Sequence, residues 1–131
     1  MTEPALPLLT SPFIDYIGLE LTEVEPDRVV ARWTAAERHH QPYGIVHGGV
    51  HASVVETLGS IGSAMWFGDR GKVVGVNNTT DFYRAISEGD LTSTATALHQ
   101  GRSQQVWVVE TRDADDRLIA RGQLRVQNLP A

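Results

Sequence analysis

The residues most able to do chemistry lie close together in "QPYGIVHGGVHASVVETLGS", residues 41–60. His47-Gly48-Gly49 precedes a run that is almost wholly apolar or small, and Glu56 is the single carboxylate inside it. Helix N-termini expose unpaired N–H groups and carry partial positive charge. With no side chain at Gly48 or Gly49, a ligand oxygen can approach those groups, which would make an oxyanion hole or a carbonyl-polarising site. The same two glycines would equally serve a tight turn into a helix. Glu56 adds weight to the first reading, because carboxylates are rarely buried without a partner and no lysine or arginine stands between residues 39 and 69. It suits a general base or nucleophile in a cleft. On a solvated stripe with Thr57, Ser60 and Ser63 it would have no such role. Ser60 lies four residues on, on the same helical face, where it can hydrogen-bond the carboxylate or a water.

Other chemistries fit less well. His39, His40, His47 and His51 cluster, but HExxH is absent and no acid or cysteine stands at ligand spacing, so no metal is expected. GxSxG, GxxxxGK[ST] and GxGxxG do not occur, which removes the serine-hydrolase elbow and the common phosphate cradles. With no cysteine there is no disulfide frame and no thiolate nucleophile.

The elements that must position these groups follow from periodicity. "SPFIDYIG" reads as a short helix capped by Ser11, with Pro12 in its first turn and Gly18 at its end. "LELTEVE" and "RVVARWTA" alternate on either side of Pro26-Asp27 and read as a hairpin. From Gly49 to about Phe67, Val50, Val54, Leu58 and Ile61 keep helical spacing, with Val55, Ala64 and Met65 widening the apolar face. A helix so apolar must be buried on most sides. Lys72 to Tyr83, Leu91 to Gln100, Gln104 to Arg112 and Leu118 to Gln127 read as strands, divided by turn residues. One buried helix followed by four long strands predicts an α+β fold, an antiparallel sheet curled around that helix.

The 131 residues are 41% hydrophobic and 21% charged, which fits a single domain with one core, residues 1–10 being a loose start. A net charge of −5 argues against a nucleic-acid surface, which needs a basic face. "MTEPALPLLTSPF" lacks the basic and apolar regions of a signal peptide, and no apolar run reaches the roughly 20 residues that span a bilayer. A cytoplasmic protein without membrane contact is expected.

Three stretches carry a family likeness: "QPYGIVHGGVHASVVETLGSIGSAMW", "KVVGVNNTTDFYRAISEGDL" and "LHQGRSQQVWVVETRD". They resemble the hotdog-fold acyl-CoA thioesterases, over nearly the whole chain from about Phe13 to Val126. The likeness is greatest to the branch with a glutamate catalyst, which holds the 1,4-dihydroxy-2-naphthoyl-CoA and enterobactin-proofreading thioesterases. The 4-hydroxybenzoyl-CoA and phenylacetate-pathway enzymes share the core more distantly. The resemblance implies that Glu56 is nucleophile or general base and that the Gly48 N–H polarises the thioester carbonyl. It further implies that Gln41 and His47 line the reaction centre and that Ser60 assists the attacking water. It puts coenzyme A against Arg84, His99, Arg102 and Ser103. Phe82 stands where close relatives can carry a polar residue, which implies a more apolar acyl pocket. An aromatic acyl-CoA is the expected substrate, with no cofactor beyond it.

Helix geometry adds a further expectation. Gly48 and Glu56 are separated by roughly 12 Å along a helix that rises 1.5 Å per residue, whereas one thioester needs donor and nucleophile each within roughly 3–3.5 Å. Two such helices, antiparallel about a two-fold axis, would form two composite sites in a homodimer, which can pair again into a tetramer. Gly59, Gly62 and the small residues nearby would permit the helices to approach. A non-catalytic acyl-CoA-binding domain is the alternative, disfavoured because a binder gains nothing from a charge beside a thioester. A hydratase would normally show an aspartate–histidine pair in another motif.

Overall fold

The computed structural model describes residues 9–131, so most of the loose start expected at 1–10 lies outside the described residues. Ser11 caps α1 (Pro12–Ile17) by accepting the Ile14 N–H, and Gly18 closes it. β1 (Glu20–Glu25) and β2 (Arg28–Ala35) form the expected hairpin. A single 3₁₀ turn at Glu37–His39 interrupts the loop that leads to α2 (Gly48–Phe67). Then come β3 (Gly71–Phe82), β4 (Gly89–Gln100), β5 (Gln104–Asp113) and β6 (Leu118–Pro130).

The six strands make one antiparallel sheet in the order β1-β2-β4-β5-β6-β3. β3 therefore leaves its sequence neighbour β4 and pairs along its whole length with β6 at the far edge. α2 packs into the concave face, where Val54, Val55, Leu58 and Ile61 meet Trp107, Leu124, Val126 and Leu91 in one core. Each such fully buried side chain contributes on the order of 1.5–3 kcal/mol of transfer free energy. Among the described residues no helix is long and apolar enough to cross a membrane.

Two details correct the sequence-based picture. Gly59 and Gly62 do not face outward toward a second helix: both are buried against this chain's own sheet. A Cβ at Gly59 would lie 2.6 Å from Leu124, and one at Gly62 would collide with the Trp107 ring. The glycines let α2 sink into a tightly curved sheet around a large indole. The face of α2 turned away from the sheet carries Ser53, Glu56, Thr57 and Ser60, half-buried or exposed. Ser63, grouped with that stripe by spacing, is fully buried, and its hydroxyl donates to the Ser60 carbonyl at 3.0 Å.

β3 contains a bulge between Gly75 and Asn77. Before it the odd-numbered residues, Val73 and Gly75, are the half-buried ones; after it the pattern moves to Asn78 and Thr80. An inserted residue reverses which side chains face the helix.

Candidate active site

His47 is the N-cap of α2, and its Nδ1 accepts the Gly49 N–H at 2.7 Å. That bond fixes the ring beside the first turn and leaves Nε2 as the nitrogen to carry a proton. The Gly48 N–H takes no partner among the described residues. Gln41 starts a turn closed by Gly44 N–H to Gln41 O at 2.9 Å, and its Oε1 accepts the Tyr43 N–H. With Oε1 so engaged, the Gln41 amide N–H groups are the free end.

Gln41, Gly48, His51, Phe82 and Arg84 line one cleft of about 300 Å³, with Val46 and Ile86 among its apolar walls. Phe82 lies directly over the helix start: a Cβ on Gly48 would stand 2.6 Å from its ring.

Glu56 opens elsewhere. Its carboxylate borders a second groove of about 410 Å³, formed with Phe13, Ala52, Ser53, Thr57 and Asn78, none of which lines the first. In the single chain Glu56 is exposed. Its Oε1 accepts from Asn78 Nδ2 at 3.2 Å, and its Oε2 lies against Gly75, where any side chain would collide with it. Ser60, expected to reach the carboxylate, makes no side-chain bond to it; Asn78 on β3 fills that part instead.

His99, Arg102 and Ser103 gather at the β4–β5 turn, all exposed. The turn is fastened from beneath by buried amides. Asn128 Nδ2 donates to the carbonyls of Gly101 at 3.0 Å and Arg102 at 3.1 Å, and Gln105 Nε2 donates to Asn128 Oδ1 at 2.9 Å. Arg84 belongs to the other end of the sheet. Val74 and Gln104 both align with Gln127, while Phe82 aligns with Ala120. Eight residues of strand put Arg84 roughly 26 Å from the Arg102 turn. Within one chain, then, Gln41, His47, Gly48, Phe82 and Arg84 come together, Glu56 stands apart, and the Arg102 turn stands apart again.

The four clustered histidines serve separate ends. His39 is buried, its Nε2 2.8 Å from the Ile17 carbonyl and its Nδ1 accepting the Ala36 N–H. His40 Nε2 lies 2.6 Å from the Ser87 carbonyl. His51 is buried with Nδ1 unpartnered, edge-on to Trp33 and tilted against Phe82. Burial, helped by the charge of nearby His39, lowers His51 to about 4, so its ring is neutral at pH 7. The sequence places His51 only in a histidine cluster without metal-ligand spacing; its cleft position is what the sequence does not give.

The profile described as thioesterase superfamily matches residues 43–120, which span the α2 site, β3 to β5 and the start of β6. This chain belongs to the thioesterase superfamily. In a solved structure, S. sahachiroi AziG is 50% identical, with a TM-score of 0.91 over 92% of this chain and 98% of that one. The proofreading thioesterase EntH of Cronobacter turicensis is 34% identical over 104 residues, 79% of this chain and 76% of EntH. The 1,4-dihydroxy-2-naphthoyl-CoA hydrolase of Listeria monocytogenes is 34% identical over 103 residues, 79% of this chain and 84% of that protein. The sheet-wrapped helix is thus the hotdog fold, and the protein is a thioester hydrolase.

Proposed function

We propose that this thioesterase hydrolyses an acyl-CoA, with an aromatic acyl group, in composite sites shared by two copies of the chain. The observation that carries the reading is the separation of Gly48 and Glu56 into two grooves on one helix. A partner helix running antiparallel would bring Glu56 of the partner subunit to the Gly48 cleft, and would shorten the distance between one chain's Arg84 and the other's Arg102 turn. The two arginines would then serve the phosphates of coenzyme A, for which a guanidinium is well shaped.

In the reaction the thioester oxygen sits at the Gly48 N–H, with the Gln41 amide as a second donor. The partner's Glu56 either removes a proton from water as it attacks or attacks the carbonyl itself. The new C–O bond forms, the negative charge moves to the oxygen held by Gly48, and the C–S bond breaks as the charge returns. The thiolate of coenzyme A then leaves. On the base route it takes up the proton that Glu56 removed from water. On the nucleophile route water hydrolyses the Glu56–acyl anhydride to the free acid, restores the carboxylate and supplies the proton for the thiolate. Donors already aimed at the developing oxyanion commonly supply the largest share of rate enhancement. Carboxylate, water and backbone suffice, so no cofactor is called for. The Phe82-capped, mostly apolar cleft and the aromatic substrate in the name of the Listeria relative support an aromatic acyl group.

The test is thiol release from a panel of aryl and aliphatic acyl-CoAs, ranked by kcat/KM. Aryl esters should lead. Binding without thiol release across the panel would overturn the catalytic reading, and a clear preference for aliphatic chains would overturn the substrate class.

A further inference from the structure

Glu56 is an exposed carboxylate on the open face of a helix, where a glutamate ordinarily samples several rotamers. Here it does not stand free. Asn78 Nδ2 spends one hydrogen on the Ala52 carbonyl at 2.9 Å and the other on Glu56 Oε1 at 3.2 Å. Asn78 Oδ1 accepts from Thr80 Oγ1 at 2.7 Å. A flipped amide would set Oδ1 against a carbonyl and a carboxylate. The amide orientation is therefore set by its two acceptors, Ala52 and Glu56.

The β3 bulge is what brings this about. Regular alternation from Val73 and Gly75 would turn Asn77 and Thr79 toward α2; the bulge between Gly75 and Asn77 turns Asn78 and Thr80 there instead. The residue just before the bulge is Gly75, whose bare backbone leaves the space that Oε2 fills. Bulges recur beside active sites because they re-aim a side chain.

We infer that Asn78 is a positioning residue for catalysis: the bulged segment from Gly75 to Thr80 holds Glu56 by Oε1 and leaves Oε2 as the working oxygen. This rests on the proposed role of Glu56. Asn78 touches no substrate atom and acts through the carboxylate alone. A held carboxylate meets the thioester in one orientation, which a freely rotating one would reach only part of the time.

The decisive variant is Asn78→Asp, which keeps the shape and the acceptor for Thr80 but replaces the donor facing Glu56 by an oxygen. Hydrogen bonds to charged groups contribute enough that kcat should fall about tenfold or more, with KM changed less than about twofold. Gly75→Ala leaves Asn78 intact and fills the space of Oε2, and it should lower kcat in the same way. In a Glu56→Gln background neither change should lower the residual rate further, because the group they position is gone. Should Asn78→Asp fail to fold, Gly75→Ala and Thr80→Val, each in both backgrounds, carry the same comparison. Wild-type kcat in the variants, or an equal loss with and without Glu56, would overturn the inference and leave the thioesterase reading standing. Full activity in Glu56→Gln, or no thioester hydrolysis by the wild type, would overturn both.

Discussion

Gly48 and Glu56 share one helix yet open into two grooves that have no lining residue in common. Sequence separation alone sets them roughly 12 Å apart, and the helix face between them carries the small Ser53 and Thr57, with Phe13 of α1 bordering the groove beside them. A shared site predicts complementation. Mix Glu56→Ala with Gly48→Val, each inactive alone, under conditions in which subunits exchange. About half the dimers become hybrids with one intact site of two, so roughly a quarter of wild-type activity should return. Mass spectrometry reports the exchange independently. Hybrids that form and stay inactive would rule out sharing.

Glu56→Gln should keep the fold and lower kcat by roughly 10²–10⁴-fold, the usual contribution of a positioned base. Ser60→Ala should matter much less, since Ser60 makes no side-chain bond to the carboxylate. Steady-state kinetics with an accepted acyl-CoA, alongside thermal melts, separates lost chemistry from lost structure. A Ser60→Ala loss as deep as that of Glu56→Gln would give Ser60 a larger part.

Arg102→Ala should raise KM with little change in kcat, as expected for contact made equally in ground and transition states. The effect should shrink at high salt. Asn128→Ala should raise KM too, because the buried amide pins the Gly101 and Arg102 carbonyls. It should also lower stability by about 1–3 kcal/mol, since Gln105 would lose its buried acceptor. An unchanged KM for both variants at low ionic strength would remove the turn from coenzyme A binding.

Much of this was legible in the sequence, and the remainder has definite causes. The 3.6-residue spacing from Val50 to Ile61 and the alternation of the strands marked every main element, because burial imposes those periods. Strand order was not legible: local turn residues mark where β3 ends but not that it crosses to β6. Gly59 and Gly62 were marked as small, yet spacing cannot say whether a small residue faces a second helix or, as here, Trp107 and Leu124. Asn78 was hidden for a sharper reason. The bulge breaks the alternation that would be used to find it, so period-two counting turns Asn77 inward. The lone acid stood out, while the residue that holds it did not.

Two buried histidines, His39 and His51, flank Trp33 and make the fold sensitive to acid. The ring centroid of His39 lies 5.2 Å and that of His51 5.9 Å from that of Trp33. Burial lowers both, His39 against the opposing pull of its bond to the Ile17 carbonyl, and His51 as far as about 4. A histidine in the unfolded chain takes up its proton near pH 6.5. Between that pH and about 4, then, the unfolded state binds a proton at position 51 that the folded state refuses, and stability must fall as the pH falls. His51 alone accounts for a loss of about 3 kcal/mol across the whole window, and His39 adds to it in the same direction. Asp113, whose carboxyl is lowered by its bonds to Arg117 and Asp115, acts only below its ordinary value of 3.8 and so leaves this window clear. Urea midpoints measured at pH 7.5, 6.0 and 5.0 should decline steadily for the wild type. His51→Phe keeps a ring between Trp33 and Phe82, so its decline should be shallower, with His39 supplying what remains. Parallel declines in the two proteins would show that His51 does not titrate with folding.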